Sequence, residues 1–310
     1  VSKLLVTGGA GAIGKHVVAA AIDQGFDVVV LDDFSSAGGG IFDKRVIVHE
    51  GTVEDELLVE KILRDSVDYV IHLAALFANQ NSIDNPTADL ATNGLGSLNI
   101  AQISAKVGVK RVVYTSSSCV YDKSDEALSE GSDTSGFDTP YAVTKYLGEK
   151  YFELYGHLGD LNYSIVRLFN SYGPYEAPGK YRNVIPNFMK LAVNGEPLPI
   201  LGTGHETRDF TYVSDIAGGI MLALTTPEAK GEVFNLGNGV ETSVIEMANS
   251  INEITGNAAG VEFRERRNWD HVTKRLANIE KARNVLGYSP KVTFKEGLRR
   301  TYEWIKEEID

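Results

Sequence analysis

At 310 residues, 43% hydrophobic and 23% charged, the chain can bury one large core or two modest ones, and it is neither disordered nor of low complexity. Its 42 acidic and 30 basic residues give a formal charge of -12 with no Lys/Arg run, which argues against nucleic acid and anionic membranes as partners. The one cysteine, Cys119, excludes an internal disulfide and leaves nothing resembling a metal cluster.

In chain order, short apolar runs alternate with longer helical patterns. Strands are predicted at 3–7, 27–31, 46–50, 68–73, 111–115 and 163–169, and helices near 12–24, 54–64, 86–106 and from Tyr141 to about Tyr155. Apolar runs that do not alternate with polar residues, separated by helices, belong to a parallel sheet covered on both faces. The expected fold class is therefore α/β, a doubly wound (Rossmann) sheet. After Asn170 the texture changes: 171–181 holds two Pro, two Gly and three Tyr and reads as loop. The remainder, with helices at 184–194 and 243–255, reads as a smaller mixed lobe over the carboxyl edge of the sheet. We expect a dinucleotide-binding domain of 1–170 plus about 208–235, and a substrate lobe of about 171–207 and 236–310. No internal repeat is found, and no apolar run of about 18 residues reads as a membrane span. The chain opens on the strand-like Lys3-Leu4-Leu5-Val6 with no signal-peptide pattern, so the expected location is the cytoplasm.

The first strand runs into Gly8-Gly-Ala-Gly11-Ala12-Ile13-Gly14 and then a helix. Glycines at 8, 11 and 14 permit a sharp turn, close approach of a pyrophosphate, and tight packing of helix on strand. The helix amino terminus adds free N–H groups and a positive dipole end. The second strand leads to Asp32, 18 residues beyond Gly14, where a carboxylate accepts both ribose hydroxyls and repels a 2′-phosphate. The pattern points to NAD rather than NADP. It says nothing about the chemistry.

Tyr141 and Lys145 follow Pro140 on a predicted helix, four residues apart and thus on one face. A phenol of ordinary pKa ~10 must fall by about three units to serve as a base at neutral pH, and a nearby ammonium with a cationic nicotinamide can supply that. The spacing alone is weak, since most such pairs are a core Tyr and a solvated Lys. The strand before it ends in Ser116-Ser117-Ser118-Cys119, at the edge where ligands bind in such sheets.

With these residues in place the chain resembles the extended short-chain dehydrogenase/reductases, in particular the nucleotide-sugar epimerase/dehydratase group. Further matches are His72-Leu73-Ala74-Ala75, Asn93 in Asn-x-x-Gly-Ser, Arg167-Leu-Phe-Asn170, Tyr172-Gly-Pro174, Arg208-Asp-Phe-Thr-Tyr-Val213, Asn235-Leu-Gly237 and Leu286-Gly-Tyr-Ser-Pro290. The resemblance implies Tyr141 as acid/base, Lys145 as the residue orienting the cofactor, and Ser117 as helper hydroxyl. It implies further NAD contacts at Phe34, Ser35, Thr52, Val53, Leu73, Ala74, Ala75, Asn93 and Ser116. Substrate contacts are implied at Ser117, Ser118, Tyr141, Asn170, Val184 and Arg208, with Arg267 and Asp270 on the uridine side. It also implies a homodimer through the helices near 90–106 and 141–155.

Departures from the group narrow the reaction. Its dehydratases carry Asp-Glu after the helper hydroxyl and its decarboxylases a Glu; here Ser118 and Cys119 offer no carboxylic acid to drive elimination. Cys119 is similar to the ring-proton base of the GDP-mannose 3,5-epimerases, but their partner Lys would fall near Val184 and is missing. Thr52 stands where the group usually has Asp, and Phe77 replaces a residue that is polar in some galactose epimerases. The expected activity is NAD-dependent inversion at C4 of a nucleotide sugar, UDP-hexose favoured, through a 4-keto intermediate. The alternatives are a 4,6-dehydratase, 3,5-epimerase or reductase on the same scaffold, or a catalytically silent dinucleotide sensor.

Overall fold

The computed structural model describes residues 1–36 and 43–309. Seven parallel strands form its centre: β1 (Lys3–Thr7), β2 (Asp27–Asp32), β3 (Ile47–Glu50), β4 (Tyr69–His72), β5 (Arg111–Ser117), β6 (Tyr163–Leu168) and β10 (Glu232–Leu236). Their order is β10-β6-β5-β4-β1-β2-β3. The order reverses between β1 and β4, which opens the crevice where doubly wound sheets take ligands.

The sheet is apolar on both faces because both are covered. On one side Val17, Val18 and Ala21 of α1 (Ala12–Asp23) meet Ile216, Ile220 and Leu224 of α8 (Val213–Thr225), above Leu4, Val6, Val28 and Val30. On the other, α2 (Glu56–Leu63), α5 (Gly96–Val107) and α6 (Pro140–Leu158) bury Ile62, Ile100 and Phe152 against Leu5, Val29 and Val112. Alternate residues of each central strand thus feed two separate cores.

The segment expected as one helix over 86–106 is instead α4 (Pro86–Asp89), a π turn at Leu90–Leu95, and α5. It is preceded by the short α3 (Asn79–Asp84). The smaller lobe has its own core of Phe188, Met189, Phe210, Met247 and Leu298. Here β9 (Thr207–Tyr212) pairs with β7 (Asn170–Tyr172), β11 (Glu241–Ser243) and β13 (Lys274–Arg275), while β8 (Leu198–Leu201) pairs with β12 (Val261–Arg264). The strand β7 takes the first two residues of the stretch expected as loop from 171, and the rest of that stretch, to 181, is loop as expected. Three helices complete the lobe and the chain end: α7 (Val184–Val193), α9 (Val244–Thr255) and α11 (Phe294–Ile309). A short α10 (Glu280–Leu286) lies against β10. No helix among the described residues is long and apolar enough to cross a membrane.

Candidate active site

The loop after β1 is closed by its own backbone. Gly8 sits at φ +70°, and a Cβ on Gly14 would lie 2.2 Å from the Gly8 carbonyl oxygen. A Cβ on Gly11 would meet only that oxygen, at 3.3 Å, and would otherwise fill open space. That asymmetry describes a cradle: Gly14 packs helix on strand, while Gly11 faces a ligand side that must stay empty of side chain. Ala12 and Ile13 begin α1 with N–H groups that have no partner among the described residues. Asp32, almost buried at the end of β2, accepts from the N–H of Ala10 and of Phe34, both at 2.8 Å. Burial pushes its carboxyl up, and those two donors oppose the shift. Ser35 turns toward Asp33. These residues fit a dinucleotide, with the glycine loop for pyrophosphate and Asp32 for ribose.

The opposite wall is His72-Leu73-Ala74-Ala75. Burial holds His72 neutral, pushed down to about 3. Hydrogen-bond bookkeeping then sets its tautomer: Thr7 Oγ1 donates to Nδ1 (2.7 Å), Nε2–H donates to Ser97 Oγ (3.2 Å), and Ser97 donates to the Asn93 carbonyl (2.6 Å). The Ala74 N–H completes the chain onto Thr7 Oγ1. Asn93 clamps this wall, accepting from Leu76 N–H and donating to the Leu76 carbonyl and to Asp89. Its amide thus faces protein on all three counts. Thr52 is exposed, whereas the Val53 side chain packs in the core against Gly96 and its carbonyl accepts from Asn99.

At the sheet's centre, Thr139 caps α6 and Pro140 opens it, so the first-turn donors find partners: Ala142 N–H on Thr139 Oγ1 and Tyr141 N–H on Ser82 Oγ. Gly148 lets α6 ride close to β5, since a Cβ there would stand 2.2 Å from the Tyr114 phenol oxygen. Tyr141 and Lys145 are consequently both buried over the end of β5. The Tyr141 phenol is pushed up by burial, then by Cys119 and Asp89, and the neighbouring Ser117 hydroxyl opposes them. This differs from the depressed phenol that the sequence argument requires, because desolvation of the protein alone favours the neutral form. Lys145 is pushed down to about 8 by burial, against the pull of Asp89 and Glu149. Its ammonium lies 4.9 Å over the Tyr114 ring.

Not every named residue faces the crevice. Ser116 turns its hydroxyl away from it, donating to the buried Glu149 at 2.5 Å, as strand alternation from Ser117 requires. Ser118 is buried, and its carbonyl accepts from Arg275 at 2.6 Å. In the smaller lobe Arg208 and Asp270 come together at 3.8 Å, with Arg266 at 3.7 Å from the same carboxylate. Arg267 instead lies exposed, its guanidinium 5.6 Å over the Trp269 ring. Burial, with Arg275 and Arg266 nearby, pushes Arg208 down while Asp270 and Cys119 oppose it. That is a guanidinium short of anionic partners. Asn170 begins β7, and Val184 is the first residue of α7, each half-buried.

Several neighbours complete the site, and of these only Phe77 and Cys119 are singled out by the sequence. Phe77 meets Tyr141 edge-on at 6.0 Å, and Asn79 donates to Cys119 Sγ at 3.6 Å. Trp269 Nε1 donates to Gln80 Oε1 at 2.9 Å, joining the second lobe to α3. Asp89 and Glu149 are carboxylates with no exposure. A signal existed for Asp89, four residues before Asn93 and hence on its helical face; Arg266, beside Arg267, carried none.

The family model described as the NAD dependent epimerase/dehydratase family matches residues 4–237. Among solved structures, an epimerase of Methanothermobacter thermautotrophicus is similar at 46% identity and TM-score 0.97, over 99% of this chain and 93% of that one. The UDP-glucose 4-epimerase of Thermotoga maritima, solved with UDP-glucose, is similar at 33% identity and TM-score 0.94, over 99% and 100%. Relatives of other activity stand close behind: a UDP-N-acetyl-alpha-D-glucosaminuronate decarboxylase of Bacillus cytotoxicus is 31% identical over 98% of both chains. The glycine loop, Asp32 and the buried Tyr141–Lys145 pair thus sit in a chain that belongs to the NAD dependent epimerase/dehydratase family.

Proposed function

We propose that the protein is an NAD-dependent epimerase that inverts C4 of a UDP-hexose through a transient 4-keto sugar. The observation that carries this reading is the pocket's chemistry: Tyr141 beside Ser117, with Ser118 and Cys119 next in line and no carboxylic acid at either position. Tyr141 takes the O4 proton, Ser117 holds the same oxygen, and Lys145 orients the cofactor and lends positive charge. Bound NAD supplies the hydride acceptor and donor at C4 and, as the oxidised ring, further positive charge that lowers the phenol. The proton returns from Tyr141 to O4 once the keto sugar has presented its other face. No step needs a second acid. We assign NAD to residues 1–170 with about 208–235, of which the β9 residues to Tyr212 pair into the smaller lobe, and the nucleotide sugar to about 171–207 and 236–310. Arg208, Asn170, Ser118, Val184, Arg267 and Asp270 are the proposed substrate contacts, with Arg208 for the diphosphate. A homodimer through the helices near 90–106 and 141–155 is supported by Leu90 and Leu95 of the π turn and Val143 and Leu154 of α6, each left roughly half exposed. A reducing, cytoplasmic compartment suits a chain with one cysteine.

A second reading is favoured by Cys119, which bears on both Tyr141 and Arg208 and so belongs to the pocket. As a base it would remove a ring proton from C3 or C5. The test is an NMR screen of UDP-, dTDP-, GDP- and CDP-sugars in D2O. Inversion at C4 of a UDP-hexose without ring deuterium is expected, and Cys119→Ser should retain it. Deuterium at C3 or C5, or loss of water, would overturn the assignment. Tyr141→Phe should hold NAD while turnover falls about 10³-fold.

A further inference from the structure

We propose that Asp89 is a positioning residue: its buried carboxylate is the counter-charge that keeps Lys145 an ammonium and holds the Tyr141 proton until cofactor and sugar are in place. This rests on the reading of Tyr141 as base and Lys145 as its partner.

Asp89 ends α4 with no solvent exposure. Its Oδ1 accepts from Asn93 Nδ2 at 2.7 Å and its Oδ2 from Thr144 Oγ1 at 2.6 Å. Both donors are neutral, so the charge is hydrogen-bonded without being paired. Burying such a group is costly unless a cation feels it. Thr144 immediately precedes Lys145, whose carbonyl accepts from the Tyr114 hydroxyl but whose Nζ has no hydrogen bond or ion pair among the described residues.

The groups facing Lys145 can be weighed in turn. From β4 comes His72, held neutral, and from β5 the Tyr114 ring. Its own helix contributes Tyr141 and Glu149. Glu149 is already bridged by Arg167 through two bonds of 2.9 and 2.7 Å and accepts from Ser116, so most of its charge is answered. From α4 comes Asp89, whose charge favours the ammonium more than any other group's. Burial pushes Asp89 up and Lys145 down to about 8, and each opposes the other's shift. Around Tyr141 stand Cys119, Asp89 and Ser117; Asp89 there disfavours the phenolate. One carboxylate therefore raises both titrations, that of the ammonium and that of the phenol.

Removing the charge must then move both limbs of the pH–rate profile the same way. Asp89→Asn keeps the shape of the side chain. The new amide can be received because the Thr144 hydroxyl also lies 3.2 Å from the Pro140 and Tyr141 carbonyls and can turn its proton to either. In the NAD-bound enzyme, kcat against pH should shift to lower pH by about one unit on both the acidic and the alkaline limb. Thr144→Val, which deletes a hydrogen bond and keeps the carboxylate, should leave both limbs in place. Should Asp89→Asn not fold, Asp89→Thr removes the same charge and is read the same way. Limbs unmoved in a folded neutral variant would overturn the proposal, as would failure of both neutral variants to fold while Thr144→Val is stable, since Asp89 would then serve folding alone. Tyr141→Phe separates the two layers. If it still turns over, the Tyr141 reading falls; if it is inactive and the Asp89 limbs do not move, Asp89 alone is dismissed.

Discussion

At the scale of single residues, glycines of one loop carry different duties that a sequence motif cannot separate. A Cβ at Gly14 meets the Gly8 carbonyl oxygen at 2.2 Å and the Gly9 backbone at 2.7 Å, so Gly14→Ala must spread the loop. At Gly11 the added carbon meets one atom at 3.3 Å and otherwise projects toward the ligand side. Gly11→Ala should therefore fold with a melting temperature within about 2 °C of wild type. It should nonetheless bind NAD about 100-fold more weakly, a loss of roughly 3 kcal/mol. Gly14→Ala should lower both, with a stability loss of about 1–3 kcal/mol. Calorimetry of folding and titration with NAD measure the two effects apart, and equal NAD affinity in Gly11→Ala and wild type would remove the loop from pyrophosphate binding. Asp32, Tyr141 and Lys145 were legible because each stands at a fixed offset from a strand or helix start. The roles of Asp89 and Glu149 were not, since each depends on a partner more than 30 residues away, Glu149 on Ser116 and Asp89 on Thr144.

At the scale of elements, the placement of α6 decides the site, because that helix carries both Tyr141 and Lys145. It is stapled to the sheet by Glu149, whose two oxygens receive the Arg167 guanidinium of β6 and the Ser116 hydroxyl of β5. Arg167 in turn stacks 4.7 Å over Tyr121, whose hydroxyl donates to Asn235 of β10. With Glu149 unexposed and Arg167 at 5%, breaking one partner strands a buried charge. Glu149→Gln should cost about 3 kcal/mol in urea unfolding, whereas the double change Glu149→Leu with Arg167→Met should restore most of that loss. A double variant as unstable as the single one would show that packing, rather than the stranded charge, sets the cost. The six strands β1 to β6 were plain in the sequence because apolar runs of four to seven residues alternate there with helices, whereas β10, the seventh strand of the sheet, was not predicted. Helix 86–106 read as continuous because the π turn at Leu90–Leu95 adds one residue without disturbing helical composition. The short β7 was hidden because pairing with β9, 40 positions on, overrides the local turn signals of 171–181.

At the scale of the molecule, α6 has two faces with different destinations. Tyr141, Ala142, Lys145, Gly148, Glu149 and Phe152 turn inward. Val143, Leu154 and Leu158 remain exposed at 47%, 46% and 73%, and Leu147 lies half-buried on the same stripe. Spacings of 4, 7 and 4 between these four positions keep them on one side of the helix. Beside them, the π turn leaves Leu90 and Leu95 uncovered, and Leu90 reaches toward Leu147 around Gly94. A stripe of this size on an otherwise acidic surface, repeated by a two-fold axis, would bury itself against its own copy and join two helices from each chain. The seam would run directly behind Lys145, so pairing would stiffen the helix that positions the reacting groups. Sedimentation of the NAD-bound protein should give the mass of two chains at micromolar concentration. Val143→Glu with Leu154→Glu should give the mass of one, with NAD still bound, because neither side chain touches the cofactor wall. A wild-type protein that sediments as a single chain at tens of micromolar would leave this stripe without the partner proposed for it.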